Sequence, residues 1–283
     1  MKPDDAMLLP AGVSRAEVVA LRGGTALAQP DWLAEEVAVS LAFNGVSHAV
    51  MLATPADLED FALGFALTEG LLDSRSELYG IEVTPVALGI EVQLDVSSAC
   101  AWRLRERRRT LAGRTGCGLC GTEQLAQVRR VLPIAPVVQV PVAAMARAQR
   151  ELRPHQALQQ LTGAAHAAAW CGLDGKVQLV REDIGRHNAL DKLVGAMVGR
   201  GLAAAQGFVC ITSRASFEMV QKTAAAGVGA LAAVSAPTRL AVDTARQLGV
   251  ALAGFVRGDD AVAYTFPERL ALAVPSADSS HGH

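Results

Sequence analysis

The sequence predicts an α/β protein in two parts. One is a C-terminal half with a largely parallel central sheet covered by helices on both faces. The other is a smaller N-terminal α+β subdomain. From Phe208 onward, short apolar strands alternate with helices on short links, the pattern of right-handed crossovers between parallel strands. Those strands lack in–out alternation, as strands buried on both faces do. The N-terminal part instead shows strand pairs that do alternate, set around one helix.

Residues 1–34 are punctuated by Pro and Gly and are read as a loosely ordered arm. The N-terminal subdomain spans 35–132 and ends in a CxxC loop. Val37, Val39 and Leu41, then Val46, His48 and Val50, alternate around Asn44-Gly45, the strongest short hairpin signal. Thr54 at N-cap, Pro55 at N1 and Asp57 at N3 then open a helix. Its Leu58, Phe61, Phe65 and Leu72 share a face, and Gly70 lies near its end. Strands are expected around Gly80–Val86 and Ile90–Val96. The basic run Arg103–Arg109 follows, then the thiol loop, with Thr122 capping a short helix through Val128. Pro133, Pro136 and Pro141 favour extended backbone and mark a linker over 133–145.

The α/β core spans 146–275. Ala165–Cys171 and Lys176–Arg181 flank Asp174-Gly175, a second hairpin. A helix is expected over Asn188–Val198 and a strand over Phe208–Thr212. A helix capped by Ser216 then runs through Ala226, followed by a strand at Leu231–Ser235 and a helix over Thr238–Leu248. Strands at Val250–Val256 and Ala261–Thr265 close the core, and 276–283 is a tail.

With 26 Lys and Arg against 28 Asp and Glu, the net charge of -2 supplies no global attraction to nucleic acid. The basic run is therefore a local feature, for which a solvated helix face is the plainer account. The N-terminus lacks the basic region and apolar core of a secretory signal. The apolar run Ala224–Val234 is too short and too glycine-rich to span a bilayer. Of five cysteines only Cys117 and Cys120 lie close together, which is no disulfide framework and places the protein in a reducing cytosol.

The thiol loop reads Gly116-Cys117-Gly118-Leu119-Cys120-Gly121. Glycines let another molecule approach the sulfurs closely. The basic run upstream and a helix N-terminus downstream both favour thiolate over thiol. Three chemistries suit such a pair. Zinc needs two further ligands, and Cys100, Cys171, Cys210, His166 and His187 are scattered. A thioredoxin-like exchanger carries its pair at the end of a first strand of a small α/β unit, whereas this pair is mid-chain. Persulfide carriage needs an accessible thiolate that takes up sulfur and passes it on by nucleophilic displacement.

Ligands of such sheets bind beyond the carboxyl ends of the strands. Three strand ends carry suitable groups. Thr212-Ser213-Arg214-Ala215-Ser216 runs into a helix, where free N–H groups and the Arg214 guanidinium suit phosphate. Ser235-Ala236-Pro237-Thr238 does the same. At Gly254-Phe255-Val256-Arg257-Gly258-Asp259-Asp260 an aromatic ring can stack on a base, Arg257 can meet phosphate, and Asp259 or Asp260 can accept from a guanine edge. No Walker loop and no G-x-G-x-x-G are present, which disfavours an ordinary nucleotide triphosphatase or Rossmann dehydrogenase. The densest polar cluster, Arg181-Glu182-Asp183-Ile184-Gly185-Arg186-His187-Asn188, sits at a strand-to-helix junction. His187 and Asp183 are read as shaping the site rather than moving protons, with Glu182–Arg186 ion pairing and an Asn188 cap as the plainer account.

At these residues the chain resembles the formate dehydrogenase accessory sulfurtransferase family, FdhD. The matching blocks include Phe61-Ala62-Leu63-Gly64-Phe65 with Thr68-Glu69-Gly70, and Gly113 to Gly121. Others are His166-Ala167-Ala168-Ala169, Arg181 to Lys192, Ser213-Arg214-Ala215-Ser216 with Glu218-Met219, and Gly254-Phe255. The resemblance implies a cytoplasmic, homodimeric sulfur carrier with a three-layer, cytidine-deaminase-like core. A cysteine desulfurase would load the loop, with Cys117 as persulfide carrier and Cys120 as its partner. The sulfur would go to the molybdenum or tungsten bis-molybdopterin guanine dinucleotide cofactor, bound as substrate, for the client formate dehydrogenase. Guanine nucleotides would mimic that cofactor, and no structural metal is expected. The family's cofactor segment falls on Phe255, Val256, Arg257, Gly258, Asp259 and Asp260, joined by Ser213, Arg214, Ser216 and His187. Some members have Pro-Gly-Arg where this chain has Gly258-Asp259-Asp260, and Arg257 is the candidate replacement. A cofactor chaperone, or a dithiol redox or zinc protein without sulfur transfer, is the alternative.

Overall fold

The computed structural model describes residues 9–112 and 130–270. The thiol loop, with Cys117 and Cys120, lies outside the described residues, as does the helix expected after Thr122. In place of a loose arm, β1 (Val13–Arg22) and β2 (Thr25–Ala34) form a regular antiparallel hairpin, with Val13 opposite Ala34 and Arg22 opposite Thr25. Gly23 and Gly24 both take positive φ, the conformation a two-residue hairpin turn demands. The Gly-Gly signal was present, flanked by residues mixed enough in polarity to mask the strands.

The N-terminal subdomain is a four-stranded sheet in the order β4-β3-β6-β5. It comprises β3 (Val37–Phe43), β4 (Val46–Ala53), β5 (Leu78–Val86) and β6 (Gly89–Val96). The Asn44-Gly45 turn forms as its dipeptide predicts, and the Asn44 side chain also ties the end of β6. Its Nδ2 donates to Val96 O at 3.0 Å, and Val96 N donates to its Oδ1 at 2.8 Å. Helix α1 (Leu58–Thr68) covers the sheet, burying Phe61 and Leu63 against Leu41, Val92 and Leu94. It starts three residues later than a Thr54 cap suggests, because Thr54 is recruited elsewhere. Its Oγ1 accepts from Ile184 N at 3.2 Å, and its N–H donates to Asp183 at 3.0 Å. Helix α2 (Ser98–Ala112) holds the basic run, and Arg103 is anchored on Glu77 at 2.7 Å.

The expected linker is packed. Val138 and Val140 are buried, and α3 (Val142–Leu152) begins at its end, followed by the short α4 (Ala157–Thr162). The core sheet has six strands in the order β12-β11-β10-β9-β7-β8. These are β7 (His166–Gly172), β8 (Val177–Asp183), β9 (Gly207–Ile211), β10 (Ala230–Ala233), β11 (Ala251–Arg257) and β12 (Asp260–Ala263). The sheet is mixed rather than largely parallel. Only β9, β10 and β11 run parallel, joined by crossover helices α6 (Phe217–Ala225) and α7 (Arg239–Leu248). The tight turns at Asp174-Gly175 and Gly258-Asp259 can only reverse the chain, so β7–β8 and β11–β12 are antiparallel. Helices cover both faces. On one, α5 (Arg186–Gly199), α6 and α7 bury Trp170, Ile211, Leu231 and Leu252. On the other, Met145 and Leu152 of α3 pack on Ala169, Phe208, Cys210 and Ala232.

Candidate functional site at the strand ends

Three chain reversals meet at the carboxyl ends of β9, β10 and β11. The loop after β9 lies beside the loop after β10. Val234 N donates to Ile211 O at 3.2 Å, Thr238 N to Ala215 O at 3.0 Å, and Ala215 bridges to Pro237. Phe255 N approaches Ser235 O at 3.4 Å, which brings the third strand end alongside. An open cleft of 870 Å³ adjoins this rim, lined by Gln149, Arg153, Gln159, His166, Thr212 and Val234 among others. Its wall is polar but mostly uncharged, so it offers hydrogen bonds in both directions.

The predicted residues divide by accessibility. Phe255 sits at a register shift between β11 and β12, with φ 50° and 40% of its surface exposed. A bulky residue in the left-handed region is strained, and such strain concentrates at functional sites. Arg257 and Asp260, paired across the Gly258-Asp259 turn, are both exposed. Val256 is buried in the α3-side core and serves packing. Asp259 and Gly258 are held by Arg150, whose guanidinium donates to the Asp259 carboxylate at 3.0 Å and to Gly258 O at 2.8 Å. A guanine edge would have to compete with that contact for Asp259. Ser213 is buried, its hydroxyl donating to Arg214 O at 3.1 Å, while Arg214 is exposed.

Ser216 stands at the N-cap of α6 as expected, but its hydroxyl does not cap the helix. It lies 3.4 Å from His187 Nε2, which also meets Glu218 Oε2 at 2.8 Å. Burial lowers the His187 pKa from its ordinary value; Glu218 pulls it up and Arg186 pushes it further down. Burial likewise lowers His166, with Arg186 again contributing. Glu218, two residues beyond the Ser216 cap, is placed on His187 by that spacing.

The polar cluster at the β8–α5 junction turns out to be a lock. Asp183, with no exposed surface, accepts from Thr54 N, Gly185 N, Asn188 Nδ2 and Lys192 Nζ, all within 3.0 Å. Lys192, equally buried, also donates to Thr54 O at 3.0 Å. This fixes the turn that carries Arg186 and His187 and ties it to the N-terminal subdomain. Glu182 does not pair with Arg186: it accepts from the N–H groups of Leu158 and Gln159, while burial raises its pKa. Asn188 caps nothing and instead reaches Leu52 O at 2.8 Å.

A second buried group joins α1, α5 and α6. Lys222 Nζ donates to Glu69, Thr68 and both oxygens of Asp191, at 2.6 to 3.0 Å. Burial pulls the Lys222 pKa down, but the two carboxylates outweigh it and leave it raised. Arg130, where the described chain resumes after the thiol loop, docks on the same spot. Its N–H donates to Gln221 Oε1 at 3.0 Å, and its guanidinium meets Leu67 O and Thr68 O at the end of α1. A cation there complements the helix dipole.

The three cysteines among the described residues, Cys100, Cys171 and Cys210, are buried, and none is in a disulfide. A hydrogen bond with Cys210, then burial, raises the Cys171 pKa well above its ordinary value, which keeps that thiol protonated and inert. Among the described residues no group of three or more His, Cys, Asp or Glu is placed to hold a metal, and no helix is long and apolar enough to cross a membrane.

Comparison with known proteins agrees with this picture. A solved structure of a candidate formate dehydrogenase accessory protein from Desulfotalea psychrophila superposes with a TM-score of 0.72. At 23% identity the match covers 92% of this chain and 99% of that one, and it establishes the fold. The sulfur carrier protein FdhD of Bordetella petrii is 57% identical over 260 residues, 91% of this chain and 94% of its own. That of Variovorax paradoxus is 57% identical over 271 residues, 95% of this chain and 98% of its own. The model of the FdhD/NarQ family matches residues 34–271, and the chain belongs to that family.

Proposed function

We propose that the protein is a sulfur carrier serving formate dehydrogenase. Cys117, as thiolate, attacks the terminal sulfur of a persulfide on a cysteine desulfurase. A new S–S bond forms on Cys117, the donor's S–S bond breaks, and the donor cysteine leaves as thiolate, with no net oxidation. Cys120 is the partner thiol. The Cys120 thiolate then attacks the inner sulfur of the Cys117 persulfide, and a Cys117–Cys120 disulfide forms. The outer sulfur leaves as hydrosulfide to a molybdenum or tungsten bis-molybdopterin guanine dinucleotide bound as substrate at the strand-end rim, and a dithiol reductant restores the pair. Phe255 stacks on the guanine, Arg257 and Arg214 meet phosphate, and Ser213, Ser216 and His187 shape the floor. We place the protein in the cytoplasm as a homodimer, and we read its helix–sheet–helix core as cytidine-deaminase-like.

Membership of the FdhD/NarQ family, whose similar relatives carry the name sulfur carrier protein, is the observation that carries this reading. The convergence of three strand ends around an exposed, strained Phe255 supports it independently. The test is intact-mass spectrometry after incubation with a desulfurase and cysteine. Wild type should gain the mass of one sulfur atom, and Cys117→Ala should not. Undiminished loading in Cys117→Ala removes Cys117 from the mechanism. Stoichiometric zinc in protein purified without chelator would favour a metal site, and active formate dehydrogenase in cells carrying only Cys117→Ala would favour a chaperone.

A further inference from the structure

At the junction of the two parts, the interior cations are matched by carboxylates. Lys192 meets Asp183, Lys222 meets Asp191 and Glu69, and Arg181 meets Asp60 at 2.6 Å. Arg186 differs. Among the described residues its guanidinium makes no ion pair and no hydrogen bond, and its Nε is buried without any acceptor. A guanidinium with a dry, unmet N–H is costly unless an acceptor arrives from outside. Its planar fork matches the oxygens of phosphate in a way an ammonium does not.

The position of Arg186 says where that acceptor comes from. It opens α5, next to His187, whose ring lies 3.4 Å from Ser216. Its charge reaches both His166 and His187. His166 lines the 870 Å³ cleft together with Arg153. The carboxylates near His187 are already engaged, Glu218 by the imidazole itself and Glu69 by Lys222. Among the described residues, Arg186 thus holds out a guanidinium N–H that no side chain or backbone group meets.

We infer that Arg186 is an anion-binding residue of this rim, taking a phosphoryl group of the ligand on its guanidinium with His166 beside it. The identity of that ligand as a guanine nucleotide derivative rests on the proposed function; the demand for an anion does not.

Calorimetry with guanosine diphosphate, guanosine and inorganic pyrophosphate tests this on wild type, Arg186→Gln and Arg186→Lys. The charge-assisted bonds at stake predict a roughly 10- to 100-fold loss of diphosphate and pyrophosphate affinity in Arg186→Gln. Guanosine binding should be unchanged, and Arg186→Lys should restore affinity in part. Wild-type affinity for guanosine diphosphate retained in Arg186→Gln overturns the inference and leaves the functional reading standing. Arg186-dependent pyrophosphate binding without any response to guanosine or its diphosphate does the reverse. If Arg186→Gln does not fold, NMR titration of wild type decides: pyrophosphate should raise the His166 midpoint, and an unmoved midpoint overturns the inference.

Discussion

Gly64 and Gly195 pack backbone to backbone where α1 crosses α5. A methyl group on Gly64 would lie 1.7 Å from Asp191 O and 2.8 Å from Gly195 N, and one on Gly195 would lie 1.9 Å from Asp60 O. Nothing on either side is a flexible side chain that could move away. Gly64→Ala or Gly195→Ala must therefore push the two helices apart, and overpacking of this kind costs about 1–3 kcal/mol or more. Chemical denaturation should show each variant destabilised by at least that much. A variant as stable as wild type would mean the helices do not approach so closely.

The Lys192–Asp183 pair gives a sharper test of the same junction. Lys192→Met keeps most of the volume but leaves the Asp183 charge buried without its cation, a loss of about 3–5 kcal/mol when one partner is removed. Urea unfolding should report it. Lys192→Met with Asp183→Asn should recover part of the loss, because the remaining donors still satisfy a neutral amide oxygen.

His187 sets a pH dependence. Burial lowers its pKa below the ordinary 6.5, so below that pH the unfolded chain binds protons more readily than the folded one. The stability tied to His187 is thus present above pH 6.5 and is lost as pH falls through the folded midpoint. NMR titration should place that midpoint below 6.5. Glu218→Gln, which removes the carboxylate 2.8 Å away, should lower it further.

Phe255 separates strain from binding. Its left-handed backbone costs about 1–2 kcal/mol that glycine would not incur. Phe255→Gly should unfold at nearly the same denaturant concentration as wild type, whereas Phe255→Ala, which keeps the strain and loses the ring, should unfold earlier. Both should bind guanine nucleotides more weakly by about 1–3 kcal/mol, the usual worth of one aromatic–base stack. Unchanged nucleotide affinity in both would remove the ring from the site.

Local chemistry accounts for what the sequence by itself determined. Asn44-Gly45, Asp174-Gly175 and the glycine that follows the helix expected over Thr238–Leu248 act within a few residues, and the elements they bound form within a residue or two of expectation. The three strand ends were legible because apolar strands running straight into helices leave few other places for a ligand. Only the tertiary structure decided the rest, because those facts depend on partners far away in the chain. Thr54 is a good cap in isolation, yet Asp183 and Ile184, more than a hundred residues on, claim its N–H and hydroxyl. The Arg181–Lys192 block reads as one polar cluster, and folding sorts it. Asp183 and Lys192 close on each other in the buried interior, Arg181 turns to Asp60, and Arg186 alone in that block keeps a buried, unmet N–H, its charge acting on His166 and His187.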